Sequence, residues 1–164
     1  MSIISTLRKL IIQQLIATYN YLGVLFYMPY LTKQFKFCAA HKYWNPDWDE
    51  EKNLKIFEDD VRVHGHNYDL DITIKGEPDQ ESGFIINISD LKKIVKDKVL
   101  DILDHSQIQK DIQWFSNKQP STENLVIFIW NQICDSIPYG GTLYKIKLRE
   151  TPSIYTEYYG PNGD

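Results

Sequence analysis

The sequence predicts an α+β domain, in which strands come first, then two helices, then strands again. Two observations carry this. Three stretches, at 35–41, 64–74 and 144–150, alternate apolar and polar residues with period two, as half-buried strands do. Between the second and third, two segments repeat their apolar residues at helical spacing.

The chain has 164 residues, which suits one domain with a sizeable core. Hydrophobic residues make up 43% and charged residues 24%, as in an ordinary globular protein. Net charge is −4 and no basic cluster stands out, which argues against a nucleic-acid partner. Two cysteines, Cys38 and Cys134, make neither a disulfide framework nor a CxxC pair, so a cytoplasmic, reducing location is expected.

Residues 1–31 are read as an N-terminal extension and 32–164 as the domain proper. Leu7–Ala17 has the pattern of an amphipathic helix. The pair Gln13-Gln14 breaks its apolar run, and no A-x-A-like cleavage site follows, so it is not a secretory signal. No uninterrupted apolar stretch is long enough to span a membrane, and no firm membrane association is expected. The extension is either a start placed too early, with Met28 as the true initiator, or a surface helix.

The first strand is expected over 33–41, with Phe35, Phe37, Ala39 and His41 on one face. The acidic, aromatic segment 42–60 reads as a loop holding a short helix near 48–56, capped by Asp47. The second strand covers 62–75, and 76–83 is a hairpin connection to a third strand over 84–88. Ser89 suits the cap of a helix reaching Leu103, with Leu91, Ile94, Val95, Val99, Ile102 and Leu103 as its buried stripe. Residues 106–120 form a polar connection. Ser121 or Thr122 opens the second helix, which runs to about Ile137 and buries Leu125, Phe128, Ile129 and Ile133. A fourth strand spans 142–150, with Tyr144, Ile146, Leu148 and Glu150 on one face. An edge strand within 153–159 precedes a frayed tail, 160–164.

His64 and His66 sit at i and i+2 on the apolar face of their strand, and His41 ends the first. If these strands pair, three imidazoles meet at one end of the sheet. Three histidines with an open fourth position are a catalytic zinc arrangement. Asp104 and His105 end the first helix. They are either an acid–base pair or a solvated helix end that favours the dipole. Glu150 falls on an apolar face, where a carboxylate is costly unless something donates to it. A ligand with paired N–H groups, or an Arg or Lys partner, would serve.

These motifs, in this order, resemble the 6-pyruvoyl tetrahydropterin synthase family, which includes the 6-carboxytetrahydropterin synthases of the queuosine pathway. The stretches that carry the resemblance begin with Phe37-Cys38-Ala39-Ala40-His41, Trp44-Asn45-Pro46-Asp47-Trp48, Glu50-Glu51-Lys52-Asn53 and His64-Gly65-His66-Asn67-Tyr68. They continue with Gly83-Phe84-Ile85-Ile86, Leu103-Asp104-His105, Pro120-Ser121-Thr122-Glu123-Asn124 and Arg149-Glu150-Thr151. The resemblance covers about residues 33–159. It implies a tunnelling fold (T-fold): a four-stranded antiparallel sheet with two helices on one face, joining other copies into a β-barrel as a trimer or hexamer. It implies Zn2+ held by His41, His64 and His66, the pterin anchored by Glu150, and proton transfer by Asp104 and His105. The implied substrate is 7,8-dihydroneopterin triphosphate. The implied product is a 6-pyruvoyl- or 6-carboxy-tetrahydropterin.

One departure bears on chemistry. The family's usual active-site cysteine falls at Asp60 here, within Phe57-Glu58-Asp59-Asp60-Val61-Arg62-Val63. Cys38 should point away from the His41 face, so it is not an easy substitute. Asp60, or Glu58 or Asp59 if the loop is shifted, is then the candidate general base. Some family members with a glutamate there look like enzymes that cut the side chain to 6-hydroxymethyldihydropterin for folate synthesis. That activity is one alternative, and a catalytically inactive pterin-binding protein is another. A second departure is Asn87, where many relatives carry Asp, and its effect is expected to be structural only.

Overall fold

The computed structural model describes residues 11–15, 28–138 and 140–163. Residues 11–15 are helical with exposed side chains. The other expectations for the N-terminal extension lie outside the described residues. Among the described residues, no helix is long and apolar enough to cross a membrane.

Four strands form one antiparallel sheet in sequential order. They are β1 (Tyr30–His41), β2 (His64–Gly76), β3 (Gly141–Arg149) and β4 (Tyr155–Tyr158). The long β1–β2 ladder opposes Phe35 to Leu70, Phe37 to Tyr68 and His41 to His64. Alternation therefore delivers Phe37, Ala39, Tyr68, Leu70 and Ile72 to one face, where all are buried.

Helices cover that face. The first helix, α1 (Glu50–Phe57), lies in the β1–β2 connection. Its cap is Asp49, whose carboxylate accepts from the Lys52 amide, and not Asp47. Helix α2 runs Ile88–Val95, loosens into a π-helical stretch over Lys96–Leu100 and ends on Asp101–Leu103. Helix α3 is the short Ile108–Asp111, and α4 is Thr122–Ile133, capped by Ser121. The sheet residues pack against Leu91, Val95, Val99 and Leu103 of α2 and Leu125, Phe128, Ile129 and Ile133 of α4.

Several expectations are corrected here. Residues 84–88 form no strand, because the chain turns through them to reach α2. Asn87, and not Ser89, caps α2, its side chain accepting from the Ser89 amide at 2.8 Å. Asparagine satisfies an orphan helix donor as well as aspartate does, which accounts for this departure. Ile102 is exposed rather than part of the buried stripe. The α4 helix gives way to a 3-10 turn, Cys134–Ser136. The "polar" connection buries Ile108, Ile112 and Phe115.

In β3 the register slips beside Thr73 and Ile74, so Leu143, Ile146 and Leu148 face the core. Tyr144 is turned out against Tyr30 and Tyr159. A bulge inserts one residue and breaks strict alternation. The tail is also better held than expected. Gly160 has φ +94 and is buried, and a Cβ there would lie 2.6 Å from the Trp130 ring.

Candidate functional site

The β1–β2 register builds the site directly. His41 stands opposite His64, and Ala39 stands opposite His66, so all three imidazoles share the core-side face at one end of the sheet. Their ring centroids are 4.6, 5.1 and 5.0 Å apart. Each offers a nitrogen within 4.8 Å of the others. Gly65 between them is exposed, and a Cβ there would meet the Ala39 carbonyl at an ordinary 3.4 Å, so contacts within the chain do not demand glycine.

Hydrogen bonds set the tautomers. His41 Nδ1 lies 2.8 Å from the Pro120 carbonyl oxygen, which can only accept, so Nδ1 carries the proton. His64 Nδ1 likewise donates to the Arg62 carbonyl at 2.9 Å. In the neutral form of each ring Nε2 is then the nitrogen that carries the lone pair. His41 is fully buried, and its Nε2 has no hydrogen-bond partner. Burial pushes the His41 imidazole below its ordinary pKa, against the opposing pull of the Pro120 carbonyl and Glu150. A neutral, buried, unpartnered ring nitrogen facing two further imidazoles is costly unless a cation sits among them. The donor set fits a zinc ion, with backbone carbonyls orienting two of its ligands from behind.

Glu150 sits just past the end of β3, its Oε1 lying 3.5 Å from His41 Nε2 and 3.7 Å from His66 Nε2. The fully buried Tyr68 donates its hydroxyl to the same oxygen at 3.1 Å. Burial, and then Glu150, push the Tyr68 phenol far above its usual range, so it stays a donor. Tyr43 leans over His41 with centroids 5.2 Å apart. Its phenol is also pushed up, by burial and then by Glu150, Asp60 and Glu123. Carboxylates thus surround the histidines.

Asp60 lies on the short turn Glu58–Val61 after α1, with its Oδ1 3.7 Å from His64 Nε2. Asp59 instead faces solvent beside Arg62. The turn is pinned by the Tyr43 amide, which donates to the Asp60 carbonyl at 2.9 Å. Asn53 holds the loop before it. This buried amide accepts from the Asn45 amide and donates to the carbonyls of Asn45, Trp48 and Asp49. Gln119 then ties Trp44 by two hydrogen bonds to the segment bearing Pro120.

Asp104 and His105 are not brought to the three histidines. They lie along the outer edge of β1, grouped with Cys38, which faces away from His41 as alternation requires. The Cys38 amide donates to Asp104 Oδ1 at 2.8 Å, and the His105 amide donates to the Cys38 carbonyl at 2.6 Å. Asp104 Oδ2 lies 3.1 Å from His105 Nδ1. The Cys38 amide, and after it His105, hold the Asp104 carboxyl below the ordinary range. His105 has φ +62, a left-handed conformation that sets its imidazole out into solvent.

Sequence reasoning missed Tyr43 and the Pro120 carbonyl. It also missed the role of Tyr68, although Tyr68 stands in the same period-two run as His64 and His66. For the carbonyl there was no signal, since it is a backbone group brought in from 79 residues away.

Residues 30–161 match the sequence model of a family described as 6-pyruvoyl tetrahydropterin synthase. The chain is similar to the 6-pyruvoyl tetrahydrobiopterin synthase of Dictyostelium discoideum, at 37% identity over 79% of this chain and 95% of that protein. It is also similar to the enzyme of the same name from Drosophila melanogaster, at 34% identity over 80% of each. Among solved structures, that of Caenorhabditis elegans 6-pyruvoyl tetrahydropterin synthase superposes with a TM-score of 0.76. It is 28% identical, over 81% of this chain and 96% of that one.

Proposed function

Because the chain belongs to the 6-pyruvoyl tetrahydropterin synthase family, we propose that it is a zinc-dependent lyase acting on the side chain of 7,8-dihydroneopterin triphosphate, with a 6-pyruvoyl-type tetrahydropterin as product. The observation that carries this reading is the buried, partnerless His41 Nε2, aimed at two imidazoles and at Glu150. The similar proteins of Dictyostelium discoideum and Drosophila melanogaster both carry the 6-pyruvoyl name, which supports that product.

His41, His64 and His66 would hold the zinc ion, which when bound would supply Lewis-acid chemistry that makes the substrate's side-chain hydroxyls more acidic. Glu150 accepts the paired N–H groups of the pterin ring, and the Tyr68 hydroxyl keeps that carboxylate aimed into the site. Asp60 takes the substrate proton, in place of the family's cysteine. A carboxylate is a weaker base than a thiolate, so Asp60 depends on substrate closing its surroundings to water. Asp104 holds His105 so that its free ring nitrogen can carry protons outward.

In one chain the Asp104–His105 pair lies on the β1 edge, away from the histidines, so a complete site needs His105 of a second copy. We therefore propose a homo-oligomer, trimer or hexamer, with its sheets joined in a barrel. The unpaired cysteines Cys38 and Cys134 support a reducing, cytoplasmic setting.

The deciding experiment incubates zinc-loaded protein with 7,8-dihydroneopterin triphosphate and identifies products by mass. A 6-pyruvoyl tetrahydropterin supports the reading. A 6-carboxytetrahydropterin moves the chain to that branch of the family. 6-Hydroxymethyldihydropterin moves it to folate synthesis. Unchanged substrate, with zinc bound and the oligomer intact, makes it a pterin-binding protein that has lost catalysis with its cysteine.

A further inference from the structure

Cys38, Asp104 and His105 bring a thiol sulfur, a carboxylate oxygen and an imidazole nitrogen within 4.8 Å of one another. This cluster lies on the face of β1 opposite His41 and shares no donor with the three histidines. Three features make it more than a chance grouping. The backbone is fixed at each member, by the Cys38 amide on Asp104, the His105 amide on the Cys38 carbonyl, and the Ala40 amide on the Ser106 carbonyl at 2.8 Å. The left-handed turn at His105 leaves its ring exposed, with Nδ1 3.1 Å from Asp104 Oδ2. The donors also differ in kind, since thiolate, imidazole and carboxylate together match the borderline softness of zinc and its neighbours.

We propose that Cys38, Asp104 and His105 form a second transition-metal site, which takes a thiophilic divalent cation such as Zn2+, Co2+ or Cd2+. The ligand atoms of a tetrahedral zinc centre stand about 3.5 Å apart, a spacing that small side-chain rotations reach from the observed cluster. On binding, the Cys38 thiol releases its proton to solvent as the sulfur–metal bond forms, and no electron is transferred. Thiolate and carboxylate together balance the charge of the ion. In the single chain Asp104 and His105 are 40% and 79% exposed, so no side chain of the same subunit closes the fourth position. The metal site stands on these three donors alone. Its effect on turnover rests on the reading of His105 as the proton relay, because an ion there occupies the imidazole. Excess metal then inhibits the enzyme that one equivalent activates.

The test uses the full chain loaded with one equivalent of Zn2+ and titrated with Co2+. The expected result is a second bound equivalent with an intense near-ultraviolet sulfur-to-cobalt band, which a site built only of histidines cannot produce. Cys38→Ser should abolish the band, and Cys134→Ser should leave it. No band in the wild-type chain, or a band that survives Cys38→Ser, overturns the site. In turnover assays, excess Zn2+ should inhibit the wild-type chain and spare Cys38→Ser, and equal inhibition of both overturns the link to the relay. The cobalt band gives its answer whether or not the protein turns over the pterin substrate.

Discussion

His41 Nε2 and Glu150 Oε1 lie 3.5 Å apart with no proton to share, because the imidazole proton is committed to Pro120 on the other side of the ring. A bare lone pair and a carboxylate face each other at a ring nitrogen that is itself buried. Two electron-rich atoms hold such positions when a cation or a donor-rich ligand comes between them. His41→Ala should therefore abolish zinc binding at the three-histidine site. The loss should exceed the roughly 10–100-fold that removing an outer-shell partner costs. Metal analysis after dialysis measures it, and retention of a full equivalent by His41→Ala would rule the site out.

Tyr68→Phe keeps the ring stacked on Phe37, at 4.8 Å between centroids, and removes only the donor to Glu150. Stability should fall by about 1 kcal/mol, the net worth of one hydrogen bond. If Glu150 anchors the pterin, KM should rise more than kcat falls, since a misaimed carboxylate weakens substrate and transition state alike. Zinc content should not change.

Asp60→Asn tests the replacement for the missing cysteine. Loss of a general base should lower kcat by roughly 10²–10⁴ with zinc retained. Asp59→Asn, one residue away but paired with Arg62 in solvent, should behave as wild type. Equal effects of the two substitutions would show that the loop acts only as a charged surface.

Asn53→Ala should cost about 1–3 kcal/mol, because the buried side chain bonds four backbone groups; the Asn45 and Asp49 carbonyls keep the Trp48 and Asn53 amides, but the Asn45 amide and the Trp48 carbonyl lose this partner. The loop that places Tyr43 and Asp60 should loosen at the same time. Amide exchange across 43–60 should accelerate ahead of exchange in β2, and uniform acceleration would argue that Asn53 contributes only to global stability.

Glu157 on β4 accepts from Lys145 on β3 at 3.1 Å, and this contact holds its carboxyl below the ordinary value of 4.5. A lowered folded-state pKa means that the folded chain binds that proton less tightly than the unfolded chain. The contribution is thus fully present above pH 4.5 and is lost as pH falls through the lower folded value. Lys145→Met should flatten the acid limb of a stability-against-pH curve. An unchanged limb would show that the exposed pair contributes nothing measurable.

Much of the site was legible in one dimension because strands impose a period of two. His41, His64 and His66 needed only alternation and one antiparallel pairing to meet. The same rule correctly turned Cys38 away from them. It failed at Tyr144, where a bulge added a residue and moved Leu143 into the core. It also failed at Phe84–Ile88, an apolar run whose backbone turns toward the Asn87 cap instead of joining a ladder. Apolar runs of that length do not distinguish strand from turn, because burial alone favours both.

By itself the sequence determined the α+β order, the two helical faces, the histidine trio and the absence of a cysteine at Asp60. These follow from local periodicity and residue chemistry, which need no knowledge of distant contacts. Only the tertiary structure decided which nitrogen of His41 is bare, which of three adjacent acids faces His64, and where Asp104 and His105 lie. The Pro120 carbonyl, the Asn53 loop clamp and the Cys38–Asp104 edge contact join groups 79, 8 and 66 residues apart. Hydrogen bonds of that kind depend on positions set by packing of the whole domain, so no local pattern encodes them.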